Sequence, residues 1–130
     1  MEDPLKQPRP NTAWRSRKGG HFEQLALAWL QRRGLRLVQR NYRCVLGEID
    51  LIMREHEVLV FVEVRFRGPR SHVPACETVD NRKQRKLVRT AQHFLLCNRQ
   101  LGQLPCRFDV VGISANADQP HYEWIRNAFC

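Results

Sequence analysis

Two neighbouring segments constrain this chain most. Val58-Leu59-Val60-Phe61-Val62-Glu63-Val64-Arg65-Phe66 is built almost wholly of β-branched and aromatic residues, the composition of a strand. Val45 to Met53 is a second such run, and only the polar stretch Arg54-Glu55-His56-Glu57 separates the two. So short a connection folds them into an antiparallel hairpin, because parallel neighbours need a long crossover. Side chains alternate across a strand. Val58, Val60, Val62, Val64 and Phe66 therefore share a continuously apolar face, which is expected to be the core side. Leu59, Phe61, Glu63, Arg65 and Arg67 share the other, and on the first strand Leu46, Glu48, Asp50 and Ile52 lie together.

Pairing Met53 with Val58 sets Glu48 opposite Glu63 and makes Asp50 a diagonal neighbour of Glu63, close enough for two carboxylates to share one ion. Clustered acids repel and need compensation. A hard divalent cation such as Mg²⁺ provides it, since it takes carboxylate oxygens and keeps several waters. Arg65 and Arg67 provide it more cheaply, as a surface ion-pair ladder. The preceding helical pattern (Phe22, Leu25, Ala26, Trp29, Leu30) bears on the choice. At about 100° per residue, Glu23 falls inside its apolar arc, flanked by Ala26, Leu30 and Leu27. A carboxylate aimed at the packed side of a helix is costly without a partner, unless its head reaches water. A site on the sheet beneath would supply that partner.

The rest of the chain frames these elements. Its 130 residues favour one domain, with 1–18 as a basic arm broken by Pro4, Pro8 and Pro10, and 19–130 as the folded part. After Gly19-Gly20 come the first helix, a strand over Leu35–Tyr42, the hairpin, and a loop over Gly68–Thr78. A second helix over Val79–Arg99 and strands over Arg107–Ile113 and His121–Arg126 complete the order αβββαββ. This is an α/β domain with helices covering a central mixed sheet.

The charge balance is one-sided. Lys plus Arg is 22 against 13 Asp plus Glu, a net +9, which points to a polyanionic partner. No apolar run reaches the length of a spanning helix and the start lacks a secretory pattern, so a cytoplasmic protein without a membrane partner is expected. Five cysteines at wide spacings, with no C-x-x-C, read as reduced thiols rather than a zinc site. On the second helix Leu87, Val88, Ala91, Phe94 and Leu95 fall on one side, and Arg82, Arg85, Lys86, Arg89 and His93 on the other. Helical basic stripes are often only solvated faces, but Asp80 is the sole acid here to offset Arg82, Lys83, Arg85, Lys86, Arg89 and Arg99. An uncompensated cationic stripe suits a phosphate backbone.

Gly47-Glu48-Ile49-Asp50-Leu51-Ile52 and Phe61-Val62-Glu63-Val64, with Arg107-Phe108-Asp109-Val110-Val111 and Ile125-Arg126-Asn127-Ala128-Phe129, closely resemble the YraN-like family of bacterial proteins. That family is similar to the PD-(D/E)XK nucleases, on the branch of archaeal Holliday-junction resolvases. The resemblance implies a restriction-endonuclease-like domain and places Glu23, Asp50 and Glu63 around Mg²⁺ or Mn²⁺. It makes Asp50 and Glu63 catalytic, gives Glu48 a supporting place at the site's edge, and puts Arg65 where the pattern has lysine. Arginine stays charged and cannot serve as a general base, but it can hold a phosphate oxygen, with Arg67 as its neighbour on the same face. Lys83 and Lys86 are candidates to supply an amine from the second helix, with no spacing argument that places them.

The expected function is metal-dependent phosphodiester hydrolysis on DNA, branched or damaged, with Arg82, Lys83, Arg85, Lys86 and Arg89 on the backbone. DNA ranks ahead of RNA, and resolvase-like relatives imply a homodimer. The alternative is a binding module that keeps the nuclease fold without turnover, which Arg65 favours. A basic interaction protein for an acidic partner is the third.

Overall fold

The computed structural model describes residues 13–67, 78–116 and 119–129. Helix α1 (Ala13–Arg32) is followed by strands β1 (Arg36–Cys44), β2 (Gly47–Glu55) and β3 (Val58–Arg67). Helix α2 (Asn81–Cys97), a 3-10 turn over Leu101–Gln103, and strands β4 (Cys106–Asn116) and β5 (Gln119–Phe129) complete the chain. One sheet runs β1-β2-β3-β4-β5, antiparallel throughout except for the parallel β3–β4 pair. The parallel pair requires a crossover, and α2 lies on it. The mixed α/β class expected from the sequence is what the chain adopts.

Both faces of the sheet are buried, not one. Leu51, Met53, Val60, Val62, Val111 and Ile113 pack with Ala26, Leu27 and Leu30 of α1. Ile49, Ile52, Leu59, Phe61, Phe108 and Val110 pack with Leu87, Ala91 and Phe94 of α2. Helix α1 also starts earlier than Gly19-Gly20, since no proline after Pro10 prevents it. The remainder of the arm, 1–12, and most of the 68–78 loop lie outside the described residues.

The β2–β3 hairpin is tighter than the four-residue polar connection implied. Glu55 pairs with Val58 and Met53 with Val60, so the register moves by two residues. His56 makes this turn by adopting a positive φ of 54°. The ladder ends at Leu51↔Val62. Continued one step, it brings Asp50 level with Glu63, while Glu48 pairs instead with Arg43 of β1. Ile49 and Leu51, two apart on one strand, belong to opposite cores. Strict alternation would put them on one face, so the backbone turns over at Asp50, and Glu48, Asp50 and Ile52 do not form a single row.

Asp80 caps α2, its Oδ1 accepting the Lys83 amide at 2.8 Å. Leu87, Thr90, Ala91 and Phe94 form the buried stripe. The outer row of five basic or His side chains is divided by the fold. Arg82, Arg85 and Arg89 are exposed. His93 turns inward to the Tyr42 hydroxyl, and the Lys86 stem packs over Gly47. The reason is Gly47 itself: a Cβ there would meet Thr90 Oγ1 at 2.8 Å, so only glycine lets α2 approach the β1–β2 turn this closely.

Strand β5 extends well beyond His121–Arg126 because a bulge between Phe108 and Val110 lets it continue to Phe129. The fully buried Asp109 sits at that bulge. Its carboxylate accepts from the Arg107 guanidinium, Trp124 Nε1 (2.9 Å) and the Asn127 amide (2.9 Å). Arg107 and Arg126 meet on Glu55 Oε1, each at 2.9 Å. The motif-like Arg107-Phe108-Asp109 and Ile125-Arg126-Asn127 stretches are thus two halves of one structural lock.

Candidate metal centre

The turn-over at Asp50 determines how the acids meet. Glu23 comes from the α1 layer and Glu63 faces α2, where Lys83 meets it. Asp50 lies where the β2–β3 ladder has parted, and its Oδ2 accepts the Val64 amide at 2.8 Å in place of a ladder bond. From there it hydrogen-bonds to the Glu23 carboxyl and lies within electrostatic reach of Glu63. Glu23 and Glu63 are both buried, at 9% and 6% exposure. The sequence-predicted acids are therefore brought to one place, along the split between two strands rather than along one face of the sheet.

The sequence reading misses one residue of the site and names another, Lys83, without placing it. Asn41 has a positive φ of 50°, a conformation asparagine tolerates better than most residues. With its amide nitrogen turned to Glu23, Nδ2 is 2.8 Å from both carboxylate oxygens. Lys83 Nζ is 3.0 Å from Glu63 Oε1. Lys83 is half-exposed but in line with the buried stripe of α2, four residues before Leu87 and eleven before Phe94.

Arg65 sits beside the same carboxylate, NH1 to Oε1 at 3.9 Å, but its guanidinium donates to the Thr78 hydroxyl and carbonyl. Arg67 reaches away to Glu123 at 2.7 Å. Glu48 pairs with Arg43 at 3.0 Å and adds negative charge near Asp50 and Glu23. Arg85 and Arg89 line a groove of about 380 Å³ with Asn81, Gln84, Val88 and Gln92.

Burial raises all three carboxyls. It pushes Asp50 up to about 7, against the Val64 hydrogen bond and with help from the Glu23 charge. It pushes Glu63 up to about 7 as well, the Asp50 charge adding and Lys83 and Arg65 opposing. Glu23 is raised by burial, with its hydrogen bond to Asp50 and the Arg40 charge opposing. Burial and the charges of neighbouring acids thus favour the neutral form of each carboxyl. Among the described residues no group of three His, Cys, Asp or Glu side chains forms a ready cage. An all-oxygen set of this kind fits Mg²⁺ or Mn²⁺, since Mg²⁺ is usually bound by one or two carboxylates, with waters and phosphates completing the shell.

The raised values carry a stability consequence. The ordinary values are 3.8 for Asp50 and 4.5 for Glu63, so the native state holds protons that the unfolded chain has released. This contribution is complete below the ordinary values and is lost as pH rises through the folded ones. Without divalent cations, the melting temperature should fall between about pH 5 and pH 8, and Mn²⁺ at the upper pH should restore it. Differential scanning fluorimetry reads both, and a flat cation-free profile would count against buried, proton-holding acids.

The model of "Uncharacterised protein family UPF0102" matches residues 22–113. A UPF0102 protein of Nitrosococcus oceani is 49% identical over 112 residues, covering 86% of this chain and 90% of the relative. One from Aeromonas hydrophila is 53% identical over 113 residues (86% and 84%), and one from Alcanivorax borkumensis 44% identical over 127 residues (97% of both). Among solved structures, Pyrococcus furiosus SfsA in complex with Ca²⁺ aligns with a TM-score of 0.40 at 14% identity, over 85% of this chain and 63% of that one. The chain belongs to the UPF0102 family, the YraN-like proteins.

Proposed function

We propose that this protein is a metal-dependent endonuclease of the PD-(D/E)XK type acting on DNA, in which the lysine comes from a helix. The observation that carries the reading is Lys83 Nζ at 3.0 Å from Glu63, beside the carboxyl of Asp50. The superfamily pattern implied by the family resemblance wants an aspartate, a glutamate and an amine together. Arg65 denies the amine in sequence, and Lys83 supplies it in space.

The roles follow from the chemistry of each group. A bound Mg²⁺ or Mn²⁺ supplies charge stabilisation at the scissile phosphate and acidifies a water. Asp50 and Glu63 offer it oxygens, and Glu23 holds Asp50 through their hydrogen bond. Lys83 is partly exposed, so its ammonium reaches both Glu63 and an incoming phosphate oxygen. Arg65, fixed by Thr78, presents a permanent positive charge for a second phosphate oxygen. The exposed Arg82, Arg85 and Arg89 would bind flanking backbone, with affinity falling as salt rises.

The test is cleavage of labelled linear, flapped and four-way-junction DNA at low salt, with Mg²⁺ and Mn²⁺ supplied separately. Metal-dependent products are expected. Lys83→Met should lower the rate by about 10²–10⁴-fold, the range for a group acting on the reacting atoms, with DNA affinity little changed. Arg65→Lys should retain activity. The second reading, a nuclease fold without turnover, is favoured by Arg65, which stands where the pattern has lysine and cannot serve as a general base. Salt-sensitive binding with no product under either metal would establish it instead.

A further inference from the structure

A two-residue turn between paired strands ordinarily carries asparagine, aspartate or glycine. The β1–β2 turn, closed by the Cys44↔Gly47 pair, carries Val45 and Leu46. Their exposures are 90% and 40%, and neither belongs to either core. The turn geometry does not call for them, since the positive φ falls on Gly47, at 154°. Nor is the tip loosely held. The Lys86 stem and the Thr90 side chain occupy the space beside Gly47, so α2 clamps the hairpin directly beneath its apolar end.

The surroundings of the tip are charged. Lys86 is exposed at its base, and Arg43 of β1 lies one residue before Cys44, paired with Glu48. An apolar point clamped by α2, with the Lys86 cation at its foot, has the two features of side chains that enter nucleic acid: an apolar group to part stacked bases and positive charge to hold a flanking phosphate. Two side chains offer too little area to anchor a bilayer. The tip also continues straight into the site. Leu46 precedes Asp50 by four residues of strand, about 13 Å.

Resting on the nucleic-acid reading above, we propose that Val45 and Leu46 form a wedge that enters a base step of the bound strand. The substrate class is then nucleic acid whose stacking is already weakened, at a mismatch, nick or branch, since such a step opens at least cost. The catalytic acids would act about four base steps from the opened one, at 3.4 Å per step.

The experiment uses the full chain and duplexes carrying 2-aminopurine beside a mismatch, with matched duplexes as reference. Wild-type protein should raise the 2-aminopurine fluorescence on binding. Val45→Ser/Leu46→Ser, whose exposed positions leave the melting temperature unchanged, should abolish that rise. It should also weaken binding to the mismatched duplex by about tenfold, the scale of one stacking contact, while matched duplex is bound as before. Equal fluorescence and affinity in the two proteins would overturn the wedge. So would a shift from dimer to monomer in sedimentation, or lost binding to phosphatidylserine vesicles, with the DNA signals unaltered. The underlying reading fails separately: wild type that binds no duplex at low salt removes both, whereas binding lost only in Arg82→Ala/Arg85→Ala/Arg89→Ala leaves that reading standing while the wedge is judged on fluorescence.

Discussion

Replacing Asp50 by asparagine is expected to abolish metal-dependent cleavage while leaving the protein folded. Asparagine keeps an oxygen for the Val64 amide, so the parted end of the β2–β3 ladder stays closed. It removes the charge that a cation needs and that burial opposes. Loss of several kcal/mol of charge stabilisation corresponds to a rate lower by about a thousandfold or more. The thermal behaviour should separate this from simple damage. At alkaline pH without cations the variant should melt at or above the wild-type temperature, because one disfavoured carboxylate is gone. Its melting temperature should also lose the rise that Mn²⁺ gives the wild type. A variant that unfolds, or that retains the full Mn²⁺ effect, would show Asp50 to be structural.

Asp109→Ala should be the most destabilising single change in the chain. The carboxylate is fully buried and holds Arg107, Trp124 and the Asn127 amide at once. Removing it leaves the largely buried Arg107 guanidinium with Glu55 alone and orphans two donors inside the sheet. Breaking a buried charge pair from one side costs about 3–5 kcal/mol, against a total stability of about 5–15 kcal/mol for a domain. Urea denaturation should show the midpoint falling accordingly, and a loss under about 1 kcal/mol would mean that the lock is not needed. Val111→Ala, two residues along in the same strand, provides a packing comparison. Asp109 and Asp50 thus separate two reasons for a buried acid: one is fully satisfied by the protein, the other is not.

Asp50 and Glu63 stand out in the sequence because a carboxylate inside an apolar strand run is conspicuous whatever the register, although strict alternation fails at Asp50. The register itself was not legible. It depends on His56 accepting a positive φ, and the Glu55-His56-Glu57 stretch has no glycine or asparagine to announce it. Both faces of β3 could have been read as buried, since Leu59 and Phe61 make its second face apolar as well, as in strands covered on two sides. Lys83 is a candidate in the sequence but has no place there, for a different reason. A helical wheel sorts side chains by polarity and assigns a lysine outward, although a long stem can lie along the packed stripe with its charge at the end. Asn41 had no signal at all, because its role exists only once β1 lies beneath α1.

On the proposed reading, an amine carried by a helix instead of a strand changes what can move. Asp50 is held by the Val64 amide on its carboxylate and by its paired neighbours Ile49 and Leu51, and Glu63 by the parallel pairing of β3 with β4. Lys83 belongs to the first turn of a helix that the sheet holds through side-chain contacts, among them the Tyr42–His93 hydrogen bond, and a close approach at Gly47. A small slide of α2 along the sheet would withdraw the ammonium and leave both acids where they are. In a nuclease whose lysine stands on the strand, no such disengagement is available without breaking the sheet.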